Sequence, residues 1–285
     1  MSNVWAKPAL PWRMISHVVI YILVLTMLVP FAWMVVTSLK TDTEAIDVQQ
    51  MALLPSGPIT DWKWHNYIQA WEDAQLGQVY LNSVIVAVVV TILSVLHNAL
   101  AGFAFAKLRM KAKNATFICM LMTMMLPYQV YFIFAYILCG WLGYVDHLHA
   151  LIVPFLASAF GIFYMKQSIL TVSDGLLEAG KLDGMTNFEL FWHVVLPSIK
   201  PAVGALAIFT FMASWNNFFW PLIVIDSQEQ FTLPLSVAGL SSGLYVQSWP
   251  VQMAAATIIT IPTVGVFLIF QRTFMQGLAL TGVKG

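Results

Sequence analysis

Six stretches of this chain contain no Asp, Glu, Lys or Arg: residues 14–39, 74–106, 114–145, 147–165, 201–225 and 230–271. A helix needs about 20 predominantly apolar residues to cross the hydrocarbon core of a bilayer, and each run is about that long or longer. Trimming polar and turn-rich ends predicts six spans, at about 14–37, 80–106, 115–138, 148–168, 202–225 and 251–272. Strands of a β-barrel would alternate polar and apolar residues over about ten positions; these runs do not. The expected fold class is an all-α membrane protein with six transmembrane helices, in a single domain over residues 1–285. Two connections are long, an outer loop at 38–79 and an inner loop at 169–201.

Composition excludes the main alternatives. Only 9% of the 285 residues are charged, against about 25% in an ordinary soluble domain. Thirteen basic side chains balance thirteen acidic ones, which leaves no excess for nucleic acid. The first span is too long for the apolar core of a signal peptide, and no small-residue cleavage site follows Val36, so it reads as a retained helix. Cys119 and Cys139 lie in one apolar stretch, where the intervening helix would hold them about 30 Å apart. They form no disulfide framework there, and each reads as a buried apolar filler.

The basic residues set the direction, because they stay on the cytoplasmic side of short loops. With the N-terminus inside, eleven of them (Lys7, Arg13, Lys107, Arg109, Lys111, Lys113, Lys166, Lys181, Lys200, Arg272 and Lys284) are cytoplasmic. Only Lys40 and Lys63 then lie outside. Both termini are therefore expected in the cytoplasm. In the outer loop, Trp62, Trp64, Tyr67 and Trp71 suggest a short interfacial helix.

The inner loop has legible local chemistry. Ser173 or Asp174 can cap a helix that runs through Leu176, Leu177, Glu178 and Leu182. Gly184 can supply the left-handed residue that ends it. Thr186 and Glu189 have the spacing of a capping box for a second short helix, which Pro197 ends. Leu176, Leu177, Leu182, Met185, Phe188, Phe191 and Trp192 are too many apolar residues for a loop that merely faces water. Some must bury against the span ends. The rest could receive a partner or rest on lipid, and composition alone leaves both open.

This loop resembles the EAA motif of ABC-importer permeases: Glu-Ala-Ala, three residues, Gly, nine residues, Ile, one residue, Leu-Pro. The matching positions are Glu178, Ala179, Gly180, Gly184, Val194, Leu196 and Pro197, with Gly180 in place of Ala and Val194 in place of Ile. Gly180 should loosen the first helix by up to about 1 kcal/mol. Further similarity to carbohydrate-type permeases lies in Pro30–Lys40, Asn82-Ser83, Trp215-Asn216 with Trp220-Pro221-Leu222, and Gln271–Gly277 with Lys284-Gly285. The resemblance is to the six-span permease of maltose-type importers and implies the type I importer fold in a bacterial inner membrane. It also implies a second permease subunit, two ATP-binding subunits, an extracytoplasmic solute-binding protein and a sugar substrate. Glu178, Ala179, Gly180, Leu182, Asp183 and Gly184 would form the ATPase-docking helix, with Gly277 and Lys284 in a tail contact. ATP and Mg²⁺ would be bound by the partner ATPase, and no cofactor by this chain.

The remaining candidates are weaker. No phosphate-cradling Gly-x-x-x-x-Gly-Lys sequence occurs, and the six histidines have no metal-ligand spacing. His97, inside the second span, is either a functional ionisable group or a neutral imidazole bonded to a neighbouring helix near Asn98. A pairing with Ser94 as a hydrolytic site would make the chain an intramembrane enzyme, but no oxyanion-hole signature accompanies it. Tyr128, Gln129, Asn216 and Asn217 could line a sugar path beside Tyr131, Trp215 and Trp220, or the amides could simply bond helices together. An importer for glycerol phosphate, amino acids or peptides is the nearest alternative function.

Overall fold

The computed structural model describes residues 10–46, 53–73, 75–241 and 248–282. Among these residues the chain is helical or turns, with no strand. It forms two compact units, Met1–Ala74 with Gly239–Thr260 and Gln75–Ala238 with Ile261–Gly285.

In the first unit, α1 (Leu10–Ser38) leaves every side chain from 14 to 33 exposed. Leu23, Leu28 and Phe31 at such positions would be costly in water but are at ease in lipid. The end of α1 is different, for Thr37, Ser38, Leu39 and Lys40 are buried. There α3 (His65–Asp73), which follows the short α2 (Asp42–Ile46), is fastened by polar contacts. Asn66 Nδ2 donates to the carbonyls of Ser38 (2.8 Å) and Lys40 (3.1 Å), and the Ser38 and Tyr67 hydroxyls are 2.7 Å apart. Of the four aromatics expected in an interfacial helix, only Tyr67 and Trp71 lie in α3. Trp62 and Trp64 precede it, stacked with ring centroids 6.5 Å apart.

The second unit is built on α4 (Leu76–Lys107), whose buried Val79, Ser83, Val86, Val90, Ser94, Asn98 and Gly102 recur every three or four residues along one face. It packs most extensively on α8 (Ala159–Leu170) and α12 (Lys200–Trp215). Small residues permit the approach. A Cβ on Gly102 would stand 2.7 Å from Met165 Cβ and 2.9 Å from Lys166 N.

The helix α1 from Met14 and the whole of α4 are long and apolar enough to cross a membrane unbroken. Three of the other expected spans are interrupted. The one at 115–138 divides into α5 (Lys113–Thr123) and α6 (Tyr128–Trp141), because Pro127 disfavours helix at the residue before it. Cys119 and Cys139 therefore do not share a helix, and Cys119 is exposed rather than buried. The span at 148–168 becomes α7 (Leu148–Ile152), a 3₁₀ turn over Val153–Phe155 containing Pro154, and α8, bent by 41°. The span at 202–225 breaks after Trp215 and resumes as α13 (Phe219–Val224). After α14 (Leu233–Ser241), α15 (Trp249–Gly282) runs about ten residues past its expected end.

Candidate functional site

The inner loop forms two short helices joined by a tight turn. Ser173 occupies the N-cap position of α9 (Asp174–Leu182), yet its side chain makes no capping bond. Asp174 does not cap either. Its Oδ1 accepts from Lys107 Nζ at 2.7 Å, and the ammonium holds its carboxyl below the usual carboxylate range. Gly184 does close α9 as expected, at φ +84°. Its N–H donates to Lys181 O and that of Met185 to Gly180 O, the paired bonds of a Schellman turn. The capping box is also present, with Glu189 N donating to Thr186 Oγ1 and Thr186 N to Glu189 Oε2, which lowers the Glu189 pKa.

From this box runs α10 (Asn187–Leu190). A π-helical turn over Phe191–Val195 and the single turn α11 (Leu196–Ser198) follow, so Pro197 sits inside the last turn rather than ending it. The chain then bends by 84° into α12.

The loop's apolar residues sort into two faces. Leu177, Leu190, Phe191 and Val195 join Ala99 and Phe103 of α4, Met165 and Ile169 of α8, and Ala202 and Leu206 of α12 in one core. Gly180 is buried within the loop, where a Cβ would stand 2.5 Å from Leu190 Cδ2. Its small size therefore brings α9 against α10, which offsets the loss of helix propensity expected from it. The opposite face is bare. Leu182 is 89% exposed, and Leu176, Glu178, Ala179, Asp183, Gly184, Phe188 and Trp192 are exposed with it.

Elsewhere in the same unit, three cavities of about 370, 390 and 860 Å³ share Phe155 in their walls. Ser94, Ser158, Thr210, Ser214 and Asn217 line the first, and Asn216, Asn217 and Tyr131 the second. Tyr131, Phe132, Phe160 and Trp220 line the third. Among the described residues, no Asp, Glu, Lys, Arg or His lines any of the three.

Asn216 and Asn217 are thus brought to one place, as expected, whereas Gln129 is exposed and lines none of these walls. The Tyr128 side chain lies outside the described residues. Trp215 and Trp220 are each only 2% exposed; Trp215 lines none of these walls, whereas Trp220, whose Nε1 donates to Ala150 O at 2.8 Å, borders the second and third cavities. His97 points away from the buried face, while Asn98 takes the interior position. Asn98 Nδ2 donates to Ser94 Oγ (2.9 Å) and its Oδ1 accepts from Ser158 N (3.1 Å). That rules out a His97–Ser94 pair on one face. The hydroxyls of Thr210 and Ser214 were not among the expected pathway residues. The four-residue spacing of 210 and 214 on α12 was the available signal.

Residues 98–279 match the family described as the binding-protein-dependent transport system inner membrane component. The chain belongs to that family. It is an inner-membrane transport permease, not an enzyme. The permease is 34% identical to the arabinooligosaccharides transport system permease protein AraQ of Bacillus subtilis over 206 residues, 72% of this chain and 73% of that one. It is 32% identical to the lactose transport system permease protein LacG of Rhizobium radiobacter, covering 87% and 88% of the two chains. It is equally 32% identical to the sn-glycerol-3-phosphate transport system permease protein UgpE of Yersinia enterocolitica, covering 92% and 94%.

In fold, the permease matches a chain of a bacterial ABC transporter involved in the import of the acidic polysaccharide alginate. The TM-score is 0.78 at 20% identity, over 96% of this chain and all of that one. Membership in a binding-protein-dependent system implies ATPase and solute-binding partners for the permease. The family match contains the whole inner loop and the polar residues named in the cavity walls except Ser94. It also reaches Gly277 in α15; Lys284 lies outside the described residues.

Proposed function

We propose that this permease moves a neutral sugar, mono- or oligosaccharide, across the inner membrane by alternating access, driven through the 172–199 loop. It pairs with a second permease subunit, two ATP-binding subunits hold ATP and Mg²⁺ on the cytoplasmic side, and a solute-binding protein delivers the sugar outside. Both termini face the cytoplasm. A ligand shifts a two-state equilibrium only through unequal affinity for the two states. ATP supplies that inequality here by closing an ATPase that grips the loop.

The observation that carries this reading is the division of α9 into a buried edge, Leu177 and Gly180, and a bare one, Leu176, Ala179, Leu182 and Asp183. A short amphipathic helix fixed on one side and open on the other is suited to lie in a partner's groove. Hydroxyls, amides and the exposed Tyr131 ring in the cavity walls suit a polyhydroxy solute. The extent of similarity to UgpE favours glycerol phosphate as a second reading, but a phosphate in walls without a cation would be left uncompensated.

The test is uptake by the assembled transporter. Wild type is expected to accumulate a neutral oligosaccharide and not glycerol 3-phosphate, and Glu178→Lys or Gly184→Asp to abolish uptake while the chain still inserts. Normal uptake by both variants would remove the loop from the mechanism, and glycerol 3-phosphate uptake would replace the sugar.

A further inference from the structure

Lys107 ends α4, and its side chain is only 9% exposed. Its ammonium donates to Val172 O at 2.7 Å and to Asp174 Oδ1 at 2.7 Å. Val172 belongs to the three-residue link between α8 and α9, and Asp174 opens α9. Among the described residues no other polar side-chain contact joins α4 to this link. Ser173, which could have capped α9, makes no such bond. The start of α9 is therefore held not by its own cap but by a cation from the end of α4.

The surroundings make this attachment stiff. Phe103, one turn before Lys107, stands 5.7 Å from Phe191 of the loop between ring centroids. Gly102 lets α4 meet the α8 backbone. A largely buried ammonium with two such acceptors is hard to displace, since water reaches it poorly and losing both bonds would leave the cation unpaired.

We propose that Lys107 is a positioning residue for coupling, which clamps the first turn of α9 to α4 so that displacement of the docked loop reaches α4 directly. Without the clamp, movement of α9 is absorbed in the link at 171–173. The inference rests on the reading of the loop as the ATPase-docking element. It assigns to a residue outside the EAA positions the task of carrying the motion onward.

The experiment uses the complete transporter in proteoliposomes, with solute uptake and ATP hydrolysis measured together. For Lys107→Met, in complexes shown by co-purification to contain the ATPase, solute moved per ATP hydrolysed is expected to fall about ten-fold while hydrolysis continues. Lys107→Arg, which keeps the charge and can reach both acceptors, is expected to stay within about two-fold of wild type. An unchanged ratio in Lys107→Met overturns the proposal. Should that variant fail to assemble, Asp174→Ala carries the test, because it removes the acceptor and Asp174 is 77% exposed, so its loss does not threaten the core; an unchanged ratio there also overturns it. Glu178→Lys is run alongside. If Glu178→Lys behaves as wild type, the docking reading itself fails. If it is inactive while Lys107→Met stays fully coupled, only the clamp fails.

Discussion

At the residue scale, three side-chain positions show how local chemistry and packing divide the work. Gly184 needs φ +84° and was legible, because a glycine after an amphipathic run is a helix stop. Gly180 was legible only as a deviation. Its reason, the proximity of Leu190, depends on a helix that sequence spacing could not place. An Ala Cβ there meets the movable ends of Leu190 and Met185, at 2.5 and 3.2 Å, so Gly180→Ala trades a small shift against a propensity gain of about 1 kcal/mol. It is expected to change thermal stability little. Gly180→Leu, which cannot fit, is expected to expose the loop to limited proteolysis.

Glu44 is the pH-sensitive residue of the first unit. Its carboxylate accepts from the backbone N–H of Ser56 (3.2 Å) and of Thr41 (3.0 Å), and hydrogen bonding with these residues lowers its pKa to about 2. A depressed folded pKa means that the stabilisation is complete above the ordinary glutamate value. It is lost as pH falls through that value towards 2. The protection of the Ser56 amide, relative to its intrinsic exchange rate at each pH, is expected to hold at pH 5 and to fall towards pH 2, and Glu44→Gln to abolish that pH dependence.

At the scale of elements, the ends of the helices were readable and their interruptions were not. Charge-free runs locate where the chain can enter lipid, so α1 and α4 came within a few residues of their expected bounds. The breaks at 124–127, 156–158 and 216–218 depend on which polar backbone groups find partners, and this is a tertiary matter. At the second break Asn98 provides the partner, with its Oδ1 accepting from Ser158 N and its carboxamide packed against Gly161. His97 attracted attention because it can ionise, but the neighbouring neutral amide holds the bend. Asn98→Leu leaves Ser158 N without this acceptor and Ser94 Oγ without this donor. It is expected to cost about 1–3 kcal/mol in thermal unfolding in detergent. His97→Leu is expected to cost much less.

At the scale of the whole molecule, the proposed mechanism divides the work between the inner loop as a lever and the cavities as a solute path, whose walls carry no charge among the described residues. The lever was legible because its caps, turn and spacing are local features. The path was only half legible. Asn216 and Asn217 were found by residue type, but Ser94, Ser158, Thr210 and Ser214 are ordinary helix residues until folding brings them to one wall. Trp215 lines none of these cavities and Trp220 borders two, a difference that sequence does not show, since buried rings and cavity-lining rings look alike there.

The central claim is that the permease has no energy source of its own and moves solute only when the loop is gripped by an ATP-hydrolysing partner. Proteoliposomes containing this chain and its permease partner, with ATP and the loaded binding protein supplied on their proper sides, test it by the presence or absence of the ATPase subunits. Accumulation of labelled oligosaccharide is expected only with the ATPase and with an intact loop. Equal accumulation without the ATPase would contradict the mechanism.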